Sequence, residues 1–389
     1  MKRIYIFTGK GGVGKSSVAA AHALRSADEG KKTLLISTDM AHNLCDIFEK
    51  NLGRDIETAM PNLDLYEIDP QYVMENDYEE IFNYIGNLMK TGEETNIQDM
   101  GMIPGMEELF SLMKISDIYA EGKYERIIVD SAPTGETLSL LKFPELLSWY
   151  MEKLFPIGKV GVRVLSPVSK KLFKIEMPNK DAMNDIEKLY MKLMELQDLL
   201  RNREVTSVRI VTTPEKMVVE ETKRNYMYMN LFNFNVDGLY INRILPVDID
   251  NGFFDQWIEL QRGYITCLKE TFAALPIYEI PWYDEELKGV QNVRRIVDDV
   301  LGDVSVFESK IITERESFEE TEDGYRLKVY IPGADKKDID LYQAATDIVI
   351  KTGNVKRNVP LPNSLKNYVV SGAKFEDGKL NISFVRGDE

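Results

Sequence analysis

Cysteine is almost missing from this chain: two in 389 residues, Cys45 and Cys267, with no CxxC pair. That excludes a cysteine-cluster zinc site and a disulfide framework, and it predicts a reducing compartment, the cytoplasm. Positive charge is short as well, with 48 Lys and Arg against 64 Asp and Glu for a formal net charge of -16. Nucleic acid is therefore not an expected partner, because general affinity for it comes from neutralising phosphates. Nowhere do about 18 consecutive apolar residues occur, the length a membrane-spanning helix needs. Any membrane role must then be peripheral or through client proteins. No secretory apolar core precedes the glycine loop that follows Lys2 to Thr8, so secretion is not expected. Tandem repeats and low-complexity tracts are absent too. What is present is 44% apolar and 29% charged residues, enough for a packed core and for two or three domains.

To about residue 302, short β-branched runs alternate with helical stretches. Ile4 to Phe7, Thr33 to Ile36, Ile127 to Val129, Val208 to Val211 and Leu239 to Ile241 are the strand candidates. That grammar predicts an α/β domain with a mostly parallel sheet covered by helices. Two long inserts, roughly 70–120 and 143–202, carry apolar residues at helical spacing, as in Ile186, Leu189, Tyr190, Leu193, Leu196 and Leu200, and are expected to lie outside the sheet. Glu285 to Leu301 reads as a last helix stopped at Gly302-Asp303. From about 316 the period changes to two: Tyr325, Leu327, Val329 and Ile331 point one way and Arg326, Lys328 and Tyr330 the other. Pro332-Gly333, Gly353-Asn354 and Asp377-Gly378 punctuate an all-β module over 316–389.

Gly9-Lys10-Gly11-Gly12-Val13-Gly14-Lys15-Ser16 satisfies GxxxxGK[ST] between a predicted strand and a predicted helix, the signature of a P-loop NTPase. Its glycines let backbone N–H groups turn inward around phosphate oxygens, Lys15 can meet the β- and γ-phosphates, and the Ser16 hydroxyl suits Mg²⁺. The same stretch contains GxGxxG in Gly9, Gly11 and Gly14, with Asp39 placed where a ribose-binding acid could sit, so a dinucleotide site is a second reading. A ligand-free glycine turn is a third. Neither uses Lys15, and neither accounts for Asp130, which closes an apolar run and so stands at the carboxyl edge of the sheet, able to hold Mg²⁺ through water. Asp39 ends the preceding predicted strand at the same edge, where it could orient the water that attacks the γ-phosphate.

Taken together these segments resemble the ArsA-type ATPases, the group of arsenite-pump motors and targeting ATPases for tail-anchored membrane proteins. Lys10 beside Lys15 is similar to that group's deviant phosphate loop, in which the extra lysine reaches the partner subunit's nucleotide. Ser37-Thr38-Asp39-Met40-Ala41-His42-Asn43-Leu44-Cys45-Asp46 resembles its first switch, and Asp130-Ser131-Ala132-Pro133-Thr134-Gly135 its second, with Met40 in place of a proline and Glu136 in place of the usual histidine. Thr213-Pro214-Glu215, Glu221 to Arg224, Ile241-Asn242-Arg243, Pro246, Pro281 and Glu285 to Gly289 extend the likeness over the first 300 residues. The resemblance implies an ATP-hydrolysing homodimer. Gly9, Lys10, Gly11, Gly12, Val13, Gly14, Lys15, Ser16, Ser17, Asn242 and Pro281 would hold ATP, with the Asn242 amide on adenine. Asp39, Lys10 and Lys15 would act in catalysis, and Ser16 and Asp130 would hold Mg²⁺. Partners would be hydrophobic or tail-anchored polypeptides and a membrane receptor. Two cysteines cannot assemble the pumps' As(III) set, so the motor of an arsenite or oxyanion efflux pump is the alternative.

Eleven of the 17 methionines fall between residues 70 and 200. A methionine-rich surface repacks around varied apolar sequences, while ordinary helical core is the plain alternative. The same inserts form the client groove in the targeting ATPases, which draws attention to Met100 to Met106 and the Met183 to Leu200 helix. The C-terminal module, through Tyr325 to Gly333, Asp338-Ile339, Val359 to Pro362 and Asp377 to Leu380, resembles a small-heat-shock (α-crystallin) β-sandwich, and is expected to be a tethered accessory domain or a structural cap.

Overall fold

The computed structural model describes residues 2–39, 43–79, 106–131, 180–249, 251–302, 304–308, 316–344, 347–353, 355–362, 365 and 367–387. The chain divides into two compact units: Met1–Glu67, Tyr124–Thr134 and Arg201–Glu389 form one, and Ile68–Lys123 with Gly135–Leu200 the other.

In chain order the elements are β1 (Arg3–Thr8), α1 (Lys15–Asp28), β2 (Thr33–Ser37), α2 (Asn43–Phe48), β3 (Glu57–Met60), β4 (Leu63–Glu67) and α3 (Met106–Glu121), preceded by a helical turn over Pro70–Tyr72 and Val73–Asp77. Then come β5 (Arg126–Asp130), α4 (Lys180–Arg201), β6 (Thr206–Thr212), α5 (Lys216–Leu231), β7 (Val236–Ile244), α6 (Asp255–Thr271), β8 (Ile277–Pro281) and α7 (Gly289–Ile296), which runs on as a wider turn over Val297–Leu301.

Eight strands make one sheet in the order β3-β4-β2-β5-β1-β6-β7-β8, parallel except for β3, which pairs antiparallel with β4. All five strands expected from the sequence are present, and β3, β4 and β8 widen the sheet at its two edges. α1 lies against the sheet through Val18, Ala19, Ala20, Ala23, Leu24 and Ala27, all buried. Its small side chains let helix and sheet approach closely. α7 covers α1 in turn, burying Val293 and Ile296, and Arg294 grips Asp28 with its two terminal guanidinium nitrogens at 2.7 and 3.1 Å. The helix expected from Glu285 starts only at Gly289, because Glu285 to Lys288 line the cleft described below.

Under the sheet a buried Arg209–Asp237 ion pair, 3.1 Å, sits beneath the Tyr5 ring. Arg209 also donates to the Val306 carbonyl and Tyr5 donates to the Phe307 carbonyl at 2.9 Å. This cluster pins the chain just after α7. His22 donates through Nδ1 to the Val18 carbonyl, 2.8 Å, so Nε2 accepts from the Tyr240 hydroxyl at 2.9 Å. Burial holds His22 well below the usual histidine pKa, which keeps this tautomer neutral.

The strands of the β-module are β9 (Glu316–Thr321), β10 (Gly324–Tyr330), β11 (Ile339–Ala344), β12 (Asp347–Thr352), β13 (Val355–Pro360), β14 (Tyr368–Glu376) and β15 (Lys379–Arg386). They form a four-stranded sheet, β14-β15-β10-β9, and a three-stranded one, β11-β12-β13. Leu327, Val329 and Ile331 are fully buried, as the period of two required. The module is not merely tethered. Met227 and Leu231 of α5 belong to its core with Leu327, Ile350, Val359 and Phe384, and buried Arg357 donates to the Leu231 carbonyl while pairing with Glu316.

In the helical unit, Met74, Met106 and Met113 are core residues. Tyr78 donates to Asp117 at 2.5 Å, and Lys192 of α4 pairs with the same carboxylate of α3 at 2.7 Å. α4 buries Leu193, Leu196 and Leu200, leaves Met194 half-buried, and turns Met191 outward, 57% exposed. Residues 100–105 and the Met183 side chain lie outside the described residues.

Candidate nucleotide site

The strand register brings chemistry to one row at the carboxyl edge of the sheet. Glu67 of β4 lies opposite Ser37 of β2, Ser37 opposite Asp130 of β5, and Asp130 opposite Phe7 of β1. The phosphate loop leaves β1 one residue later. In α/β sheets this edge, where neighbouring strands send their connections to opposite sides, is where ligands bind.

Gly9 passes so close to β6 that a Cβ would stand 2.1 Å from the Val211 carbonyl oxygen. At Gly14 φ is +91°, and a Cβ would meet the Asn242 amide nitrogen at 2.3 Å. By contrast nothing lies within 4 Å of a Cβ built on Gly11 or Gly12, so the loop keeps open space beside its backbone. Asn242 acts here as a clamp: its Nδ2 donates to the Val13 carbonyl at 2.8 Å and its Oδ1 accepts the Arg243 N–H at 2.9 Å. Arg243 adopts φ 59°, a left-handed conformation unusual for a side-chain-bearing residue and common at functional strand ends. α1 starts at Lys15, which places the helix N-terminus and its unsatisfied N–H groups at the loop.

The two loop lysines part ways. Lys15 is buried and its ammonium turns back to the Lys10 carbonyl at 3.4 Å. Lys10 points outward, with 39% of its side chain exposed and its ammonium 3.6 Å from Glu221 of α5. Asp130 is fully buried and neither carboxylate oxygen has a hydrogen-bond partner. Burial pushes its pKa up to about 6. The Ser16 hydroxyl and the Lys15 ammonium pull the other way, and Asp39 adds to the rise. An orphaned carboxylate facing a serine hydroxyl is a hard-oxygen pair that fits a hydrated divalent cation such as Mg²⁺. Among the described residues no cluster of three or more His, Cys, Asp or Glu could hold a metal by itself, so the remaining ligands of such an ion would come from nucleotide and water. Asp39 donates its N–H to Ser37 Oγ at 3.2 Å.

Beside the loop opens a cleft of about 770 Å³, lined by Gly14, Ser17, Asp46, Asn242, Pro281 and Trp282 among others. Its size suits a small-molecule cofactor. The structure thus gathers the phosphate loop, Ser16, Asp39, Asp130, Asn242 and Pro281 at one edge; Met40 to His42 and Ala132 to Glu136 lie outside the described residues. Sequence reasoning missed Trp282, Glu67 and the Lys10–Glu221 pair. Trp282, half-exposed beside Pro281, was the most accessible to find.

A strand, a glycine loop opening a helix, and a buried acid on the neighbouring strand define a phosphate-loop nucleotide hydrolase. Residues 2–302 match the family of anion-transporting ATPases, and residues 322–384 match the HSP20-like domain found in ArsA. The chain belongs to the ArsA ATPase family, and it binds and hydrolyses ATP. It is 34% identical over 387 residues to a putative arsenical pump-driving ATPase of Prosthecochloris vibrioformis, covering 98% of this chain and 96% of that protein. A putative arsenical pump-driving ATPase 1 of Aquifex aeolicus (strain VF5) is 31% identical, covering 98% and 99%. ATPase GET3 of Kluyveromyces lactis is 30% identical over 314 residues, 75% of this chain and 87% of that protein. No helix among the described residues is long and apolar enough to cross a membrane.

Proposed function

We propose that this ATPase is a homodimeric targeting factor or chaperone, cytoplasmic, whose nucleotide state opens and closes a methionine-bearing helical groove to hydrophobic or tail-anchored polypeptides and that docks at a membrane receptor. The observation that carries the dimer is the division of labour between the loop lysines. Lys15 is committed to its own loop, whereas Lys10 stands outward on an exposed ion pair with Glu221, from which it can be recruited by a second subunit's phosphates. Each chain has one phosphate loop, so paired sites need two copies facing each other. Binding ATP at that seam supplies the differential contacts that shift a two-state equilibrium.

In the reaction, loop N–H groups and Lys15 bind and neutralise the phosphates, and Asn242 holds the loop closed beside the base. Asp39 orients the attacking water and accepts its proton through solvent. Ser16 and Asp130 would hold Mg²⁺, which when bound neutralises charge on the β- and γ-phosphates. Ionised Asp130 is the competent form, and Lys15 beside it favours that form.

For the client side, support comes from the outward Met191 and half-buried Met194 of α4 and from the likeness to GET3. A pump-motor role is the second reading, favoured by the names and coverage of the arsenical pump-driving relatives. Against it stand the two cysteines, of which Cys45 is engaged by Glu67 at 3.2 Å. The deciding experiment captures polypeptides bound to the wild type and to Asp39→Asn in ATP. Enrichment of proteins with apolar C-terminal helices supports targeting. A random proteome sample points to general holdase activity, and arsenite raising ATP turnover overturns the reading in favour of the motor.

A further inference from the structure

Glu67 is a carboxylate only 6% exposed at the last position of β4. Its Oε1 accepts the N–H groups of Leu44 at 2.9 Å and Cys45 at 3.2 Å, and its Oε2 accepts the Cys45 thiol at 3.2 Å. These amides belong to the first turn of α2, where a helix leaves its own N–H groups without partners. The thiol in turn accepts the Leu52 N–H at 3.5 Å. Burial and the neighbouring Glu67 carboxylate raise the Cys45 pKa, so the sulfur stays protonated and remains a donor.

This anchor lies on the path to the reacting centre. Asp39 sits between the end of β2 and the start of α2, and its N–H is tied to Ser37 Oγ. Ser37 and Glu67 are register partners on adjacent strands. The described residues on either side of Met40 to His42 are therefore fastened to the same row of the sheet, Asp39 at Ser37 and the first turn of α2 at Glu67. Carboxylate-to-amide bonds are charge-assisted and stronger than neutral ones, and a misplacement of about 1 Å at a reacting group costs about a hundredfold.

We propose that Glu67 is a positioning residue for ATP hydrolysis: by holding the first turn of α2 and the Cys45 thiol, it fixes where Asp39 stands. This rests on the reading of Asp39 as the residue that orients water. The role needs an acceptor at Oε1, so Gln should serve and Ala should not.

The test measures ATP turnover, affinity for a fluorescent ATP analogue, and the rate at which a maleimide labels Cys45, all in a Cys267→Ser background. Glu67→Ala is expected to lower turnover about tenfold or more with affinity within about threefold, and to speed labelling; Glu67→Gln is expected to recover most of the turnover. Turnover within about twofold of wild type for Glu67→Ala overturns the proposal, as does an equal loss of turnover and affinity, or a Gln variant no better than Ala. If Glu67→Ala does not fold, Glu67→Asp decides, since it keeps the charge but retracts it by one methylene. Lower turnover at unchanged affinity then supports the role and unchanged turnover refutes it. Asp39→Asn run in parallel separates the two assignments: full turnover there refutes the role of Asp39, while the labelling rate still reports whether Glu67 holds α2.

Discussion

Replacing Asp130 by Asn should make the nucleotide-free protein more stable and catalytically dead. Asn stands in for the protonated acid, and the buried carboxylate is uncomfortable when ionised, its pKa rising from 3.8 to about 6. A raised folded-state pKa on an acid means the native protein binds more protons than the unfolded chain between these values. The stability is then fully present below pH 3.8 and is lost as pH climbs through about 6. At 1.36 kcal/mol per unit, wild type forfeits about 3 kcal/mol at pH 7.5 relative to the variant. The gap should shrink to about 1 kcal/mol at pH 4.5, where the native carboxyl is largely protonated and only the short span above the unfolded value of 3.8 still counts against wild type. Urea denaturation of both proteins in EDTA, at the two pH values, reads this directly. Adding ATP and Mg²⁺ at pH 7.5 should stabilise wild type and not the variant, narrowing or reversing the order. A variant no more stable than wild type at pH 7.5, or a gap that ignores pH, would refute the burial argument.

Gly14→Ala should abolish ATP binding and cost about 1–3 kcal/mol, because the new Cβ collides with the Asn242 amide at 2.3 Å on a left-handed backbone; isothermal titration with ATP checks it. Asp237→Ala should destabilise by about 3–5 kcal/mol by leaving Arg209 charged and unpaired in the core. Asp237→Leu combined with Arg209→Met should recover much of that loss, while limited proteolysis should show faster cutting near Val306, which Arg209 no longer holds. Arg357→Ala should cost about 2–4 kcal/mol and loosen the β-module, since the Leu231 carbonyl and Glu316 lose their buried partner. Hydrogen exchange over α5 and β13 would register that loosening, and unchanged exchange would count against it.

The phosphate loop was legible because its chemistry is contiguous: six turning or liganding residues in eight, with no long-range geometry needed. The five central strands were legible because both faces are covered, which forces continuous apolar runs. β4 was not. Its sequence Leu63-Asp-Leu-Tyr-Glu67 interrupts the run with Asp64, which is tolerated inside only because Lys32, Thr58 and Tyr124 all satisfy it. β3 is only partly buried and antiparallel at the edge, so it carries no parallel-sheet signature. Without β4 the register row could not be written, and Glu67 stayed unseen. Asn242 shows a different limit: a strand-end amide was recognisable, but its grip on the Val13 carbonyl comes from a residue 229 positions away. Likewise nothing in the spacing of Met227 and Leu231 along α5 says which domain covers them.

Because α5 contributes side chains to the β-module core and a carboxylate to Lys10, the C-terminal residues are no appendage that can be trimmed for convenience. A fragment ending at Phe307 would carry a raw greasy scar along the last two turns of that helix and should clump or need a solubilising partner. Conversely, the face of the sandwich that α5 plugs is closed to clients, so any polypeptide that visits the module must meet its outer rims, where Tyr342 and Val369 stand exposed.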